Sequence, residues 1–241
     1  MFAYTDELLA TFNNWNGILS APSKESLKKP NGIRVFKNSF IETTLRAHWI
    51  VPGLWVIPVV TLLVLKGLHF VDGSLMTKLV ITGFFSWTIL EYAIHKYVFH
   101  WPIKPTSPVP LKKLIFGLHG YHHEFPNDPS RLVVPVAVAW PLGLIVALLT
   151  WLVVGTTFFF GIYGGILLGY LAYDWTHYWE HHGRPTGRYG KYLHEFHAIH
   201  HFVDENKNMG ISSPVWDWIL GSIKEPRTKL FGNAPAKGRA K

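Results

Sequence analysis

The most constraining feature of this chain is a run of 42 consecutive uncharged residues from Leu132 to Tyr173. Water-soluble folds rarely hide so long an apolar stretch. At about 20 residues per bilayer crossing it holds two helices, and the GTTFFFG segment, Gly155 to Gly161, supplies the hinge of a hairpin. Two further apolar stretches precede it. AHWIVPGLWVIPVVTLLVL, between Arg46 and Lys66, is just long enough for one crossing, and another begins near Leu79 and runs through ITGFFSWTIL into EYAIHKYVFH. The expected fold is all-α: an integral membrane protein with about four transmembrane helices. The 11 Trp and 10 Tyr residues suit such a protein, because their amphipathic rings collect where a membrane meets water.

Charge then gives the orientation. Four crossings put both termini and the loop between the second and third spans on one side. That side carries Lys24, Lys28, Lys29, Arg34 and Lys37, then Lys104, Lys112, Lys113 and Arg131, then Arg184, Arg188, Lys191 and the tail from Lys224 to Lys241. The other side has only Lys66, Lys78 and the uncharged hairpin tip. The positive-inside rule places the richer side in the cytosol. A net charge of +8 could serve nucleic acid, yet the cations sit in short segments between apolar runs, with no basic helix or RNA-reading motif, so no nucleic-acid partner is expected. Residues 1–30 are expected to be an N-terminal segment, with a short interfacial helix over Thr5 to Leu19. Residues 31–230 form the membrane unit, and 231–241 a basic, disordered tail. Acidic and polar residues in Met1 to Ser20 argue against a secretory signal.

Twelve of the 14 histidines lie between His95 and His201, all on the cytosolic side of this topology. They form four groups: HKYVFH (His95, His100), HGYHH (His119, His122, His123), HYWEHH (His177, His181, His182) and HEFHAIHH (His194, His197, His200, His201). Residues three and four apart share a helical face. His119/His122/His123, His177/His181 and His197/His200/His201 therefore aim imidazoles in common directions. His95 and His100 are five apart, which requires the helix to unwind near its end, before Pro102. Neutral imidazole is the commonest metal ligand. Four clusters at converging helix ends point to a metal site, whereas a lone boundary histidine would be an interfacial polar group, the reading given to His48 and His69. His182 and His194 point off the dominant faces and are read as non-ligands. Ten imidazoles are too many for one ion and suit two.

With no Cys in the chain, thiolate sites and iron–sulfur clusters are excluded. Acidic residues near the ligands are candidates for holding imidazole tautomers: Asp174, three before His177, and then Glu91, four before His95.

HKYVFH, HGYHH, HYWEHH and HAIHH, with the apolar hairpin between the second and third, resemble the fatty acid hydroxylase superfamily, which includes sterol desaturases. The segments HGYHHEFPNDPSRLVVP and NMGISSPVWDWILG are similar to those of its sphingolipid fatty acid 2-hydroxylase branch, as is RVFKNSFIETT. The likeness covers roughly residues 30 to 225. It implies ten ligands, His95, His100, His119, His122, His123, His177, His181, His197, His200 and His201, the same set that spacing favours. It also implies polar roles beside the metals for Tyr170 and Asp174, and a four-span helical unit under a cytosolic helical cap. The implied reaction inserts one oxygen atom from O2 at C2 of a fatty acyl chain, as free acid or in ceramide. Two iron ions are the expected cofactor, with zinc in purified protein, since histidine-only sites bind zinc more tightly than ferrous iron. Many relatives carry a cytochrome b5 domain that these residues lack, so an external donor of cytochrome b5 or ferredoxin type, with its reductase, is expected. The endoplasmic reticulum and a bacterial plasma membrane fit equally.

Oxidising an unactivated C–H bond lies beyond acid–base chemistry, which is why a metal and dioxygen are required. The rival readings are a sterol or carotenoid oxidase or desaturase, a metal transporter and a metal-dependent hydrolase. A transporter places its ligands near the bilayer midplane rather than at one face. A hydrolase needs a carboxylate base, for which Asp174 and Glu180 are the candidates.

Overall fold

The computed structural model describes residues 4–14, 22, 24–29, 31–104 and 106–230. Among these the regular structure is helical, with one isolated β-bridge between Tyr4 and Phe36. The helices are α1 (Asp6–Asn14), α2 (Lys24–Leu27), α3 (Ser39–Thr44), α4 (Val51–Gly67), α5 (Gly73–Ile94), α6 (Val109–Ile115), α7 (Tyr121–Glu124), α8 (Val136–His182), α9 (Gly187–Phe202) and α10 (Val215–Leu220). Two of them, α8 and α5 with its continuation to Phe99, are long and apolar enough to cross a membrane. The apolar α4 is shorter.

Helix α8 is two helices joined at one residue. Gly155 has φ 68° and ψ 171°, and helical geometry resumes immediately after it. A side chain would be strained at that φ. The arms fold back on each other, since the Tyr163 hydroxyl donates to the Gly143 carbonyl at 2.9 Å. The hinge is thus narrower than the seven-residue segment expected from sequence: Gly161, at its far end, is helical and packs against Met76 and Leu79.

The second arm of α8 is the spine of the bundle. Helix α5 runs parallel to it, with Gly83 against Gly165 and Trp87 against Gly169. A Cβ on Gly165 would stand 2.7 Å from the Phe84 nitrogen and 2.9 Å from the Gly83 Cα, so the two backbones touch because both positions lack side chains. Helix α4 packs antiparallel on the same arm, with Gly53 beside Trp175 and Gly67 beside Phe160. The parallel pairing brings the C-terminal ends of α5 and α8 to the same end of the bundle, where the histidines lie. The outward faces are apolar: Leu54, Leu62, Phe85 and Leu144 are exposed, and Val153 is 83% exposed.

The segment expected to be an interfacial helix over residues 5–19 is helical over 6–14, and part of the remainder lies outside the described residues. Helix α1 packs on the protein. Leu8 is buried with Ile33, Val35, Phe116, Tyr121 and Phe125, and the Thr5 nitrogen donates to the Val35 carbonyl at 3.0 Å. Arg131 pairs with Glu42 at 2.7 Å, which ties the segment before α4 to the loop before α8. The 231–241 tail lies outside the described residues.

Candidate metal centre

Each histidine group is carried by a helix end. Helix α5 passes at His95 into a π-helical turn, His95–Phe99, in which the His100 nitrogen donates to the His95 carbonyl at 3.0 Å. That five-residue bond widens the helix, so His95 and His100 share a face, with ring centroids 4.8 Å apart. The helix therefore does not need to unwind, as spacing alone had implied; π-turns recur at functional sites for this geometric reason. A second π-turn, Phe116–Gly120, carries His119, and α7 follows with His122 and His123. The end of α8 supplies His177 and His181, and α9 supplies His197, His200 and His201.

These side chains fall into two groups of five. One contains His95, His100, His119, His123 and His200; the other contains His122, His177, His181, His197 and His201. Within each group, one nitrogen from every ring lies within 4.8 Å of the others. In the first, Nε2 of His119 stands 2.9 Å from that of His95 and 3.0 Å from that of His123, which is 3.2 Å from His200 Nε2. In the second, His177 faces His122 and His181 faces His197, each pair at 2.9 Å between Nε2 atoms. His48, His69, His182 and His194 belong to neither group; the His182 ring lies against Tyr178 instead, tilted by 36° with centroids 5.0 Å apart.

The donor set fits metal ions. His95 Nδ1 and His200 Nδ1 donate to the carbonyls of Met209, at 2.6 Å, and Lys207, at 2.9 Å. Each ring therefore presents an unprotonated Nε2 inward. His100 Nε2 and both nitrogens of His201 are buried without a hydrogen-bond partner among the described residues. Burial, reinforced by neighbouring imidazoles, pushes His119, His122, His123, His197 and His201 well below the usual imidazole range. Neutral, buried rings with converging lone pairs are what an imidazole-binding cation needs.

The carboxylates have other duties than those read from spacing. Asp174 accepts from the Val134 nitrogen at 3.3 Å and so fixes the loop entering α8 rather than an imidazole. Glu91 accepts from the nitrogens of Ile211, at 2.6 Å, and Ser212, at 2.8 Å, and from the Ser212 hydroxyl at 2.5 Å. It anchors the loop whose Met209 carbonyl holds His95. Asp217 secures the same loop through the nitrogens of Met209, at 2.9 Å, and Gly210, at 2.7 Å. Sequence reasoning found neither carbonyl partner, because both depend on chain segments brought together only by folding.

Two cavities adjoin the histidines. The first, about 90 Å³, lies among the apolar helices and is lined by Trp55, Trp87, Leu167, Tyr170 and, at its histidine end, His95. The second, about 300 Å³, lies beneath α1 and reaches His119, His122 and His177. Phe99, Val134, Leu142 and Tyr173 line both.

Comparison with known proteins agrees with this architecture. The fatty acid hydroxylase family pattern matches residues 80–222. The chain is 36% identical over 197 residues to the dihydroceramide fatty acyl 2-hydroxylase FAH2 of Arabidopsis thaliana, covering 80% of each chain. It is 33% identical to the fatty acid 2-hydroxylase of Homo sapiens, covering 82% of this chain and 58% of that protein. Among solved structures, full-length scs7p, in which only the hydroxylase domain is visible, superposes with a TM-score of 0.73 at 28% identity over 80% of this chain and 73% of that one.

Proposed function

Because the chain belongs to the fatty acid hydroxylase family, we propose that it is a membrane-bound monooxygenase that hydroxylates a fatty acyl chain at C2, as free acid or within ceramide. The observation that carries this reading is an apolar cavity between the helices that ends at His95, one of ten converging histidines. The two five-histidine groups would each hold one ion, with iron as the native metal and zinc replacing it in purified protein. A bound redox-active metal pair supplies dioxygen activation, which C–H hydroxylation requires. The overall balance is one CH₂, one O2, two electrons and two protons giving one CHOH and one water.

The protein's own part is placement. Trp55, Trp87 and Leu167 receive the acyl tail, and the polar end stops at the membrane face beside the histidines, which puts the carbons nearest the carboxyl or amide at the site. Tyr170 lines that cavity, and Asp174, one helical turn on, holds the Val134 wall in place. Both are proposed to shape the reacting position. Burial of the histidines restricts the access of bulk water, which limits side reactions.

The bundle is read as four crossings: α4, α5 and the two arms of α8. The histidine end and both termini face the cytosol, in the endoplasmic reticulum or a bacterial plasma membrane, with residues 31–230 as the catalytic unit. Electrons are supplied by a carrier of cytochrome b5 or ferredoxin type with its reductase.

Lipid analysis of a host with and without the chain tests the reading. New 2-hydroxy acyl chains, dependent on O2, iron and a reductase, are expected. His177→Ala and His201→Ala should abolish them and His182→Ala should not. Sterol or carotenoid products without 2-hydroxy acyl chains would overturn the assignment.

A further inference from the structure

Glu180 immediately precedes His181 on α8, and its side chain is 1% exposed. Neither carboxylate oxygen has a hydrogen-bond partner among the described residues. The other buried carboxylates do: Glu91 binds the Ile211–Ser212 backbone, Asp217 the Met209–Gly210 backbone, Asp174 the Val134 nitrogen, Asp128 the Ser130 hydroxyl and Glu42 Arg131. A buried, unpaired carboxylate is costly to a fold. Its nearest basic atom is His197 Nδ1, 3.9 Å from Oε2, and that nitrogen also lacks a partner. The other ring nitrogen, His197 Nε2, faces inward to His181 Nε2 at 2.9 Å. The first histidine group has carbonyl acceptors behind His95 and His200. Behind His197 stands a carboxylate instead.

We propose that Glu180 is a positioning residue for His197: it accepts the Nδ1–H, directly or through one water, and so fixes Nε2 as the inward, metal-binding nitrogen. At 3.9 Å a small ring rotation or a bridging water completes the contact. A carboxylate behind an imidazole also raises its basicity as a ligand, which carbonyl acceptors do less. The group containing His197 thus owes its hold on metal to Glu180, while the group containing His95 does not. This rests on the two-metal reading above.

Full-length protein in detergent, loaded with zinc, tests the assignment through metal content and release to a chelator. Wild type should hold about two ions per chain, one for each histidine group. Glu180→Leu should release one of them about 10- to 100-fold faster, the loss typical of a missing outer partner, and leave the other unchanged. Glu180→Gln keeps an acceptor oxygen without the charge and should fall between. Metal-free Glu180→Gln should melt close to metal-free wild type, because its amide oxygen can still accept the His197 Nδ1–H; a merely structural role predicts lower melting. Release of both ions at the wild-type rate from Glu180→Gln and Glu180→Leu overturns the proposal. If Glu180→Leu fails to fold, Glu180→Gln alone decides by the same two readouts. Wild-type protein that binds no metal instead overturns the metal reading itself, and this inference with it.

Discussion

His95 Nδ1 and the Met209 carbonyl oxygen stand 2.6 Å apart across 114 positions of sequence, so the C-terminal segment sets the ring orientation at the end of the long apolar helix α5. Glu91, one helical turn before His95, holds that segment in place through Ile211 and Ser212.

Glu91→Ala should therefore act twice. It leaves two main-chain N–H groups without their acceptor, at roughly 1–3 kcal/mol each, and it frees the Met209 carbonyl from its register. The expected result is a lower melting temperature together with faster metal loss from the His95 group alone. Comparing chelator release in Glu91→Ala and Glu180→Leu checks this, because the two variants should weaken different ions.

The contact of α5 with the second arm of α8 depends on absent side chains. Gly165→Val should separate the two helices, because the atoms its Cβ would meet are backbone and cannot swing aside. Overpacking of this kind costs about 1–3 kcal/mol or more. Gly73→Ala is the control, since nothing lies within 4 Å of its Cβ position. Thermal unfolding in detergent should show a clear loss for the first and almost none for the second.

Sequence spacing reached far into this site for a physical reason. Helical periodicity alone puts His119, His122 and His123 on one face, and likewise His197, His200 and His201. The pair His95 and His100 resisted it because a π-turn has its own period, and nothing in HKYVFH announces one. Charge-free length revealed the α8 hairpin, but its break proved to be one residue, Gly155, rather than a seven-residue hinge. Partners such as Met209, Lys207 and Glu180 were illegible, since a carbonyl acceptor carries no residue-type signature and a carboxylate declares its role only by what stands near it.

Acidification should destabilise the metal-free protein. Burial pushes His100, His119, His122, His123, His197, His200 and His201 well below the usual imidazole range. Unfolded histidines take up protons near pH 6.5, while the folded rings stay neutral until much lower pH. The unfolded state then binds more protons, so stability is full above about pH 7.5 and falls as pH drops through about 6.5. Each such ring contributes up to about 1.4 kcal/mol per pH unit. Melting temperatures measured from about pH 8 to 5 should be flat at first and then fall steeply; a constant value across that range would contradict neutral burial of these rings.

The four-crossing reading makes a topological prediction. The second arm of α8, from residue 156 to His182, spans about 40 Å at 1.5 Å per residue, more than the roughly 30 Å hydrocarbon thickness of a bilayer. Its two ends must then lie on opposite sides. Phe158 is 43% exposed near the hairpin tip, and Arg184 is exposed just beyond the histidine end. The chain has no native Cys, so Phe158→Cys and Arg184→Cys each create a single labelling site. In sealed vesicles of known orientation, an impermeant maleimide applied from the cytosolic side should label position 184 and spare 158, with the reverse from the far side. Labelling of both positions from the same side would mean that this arm does not cross the membrane, and the four-span assignment would have to be withdrawn.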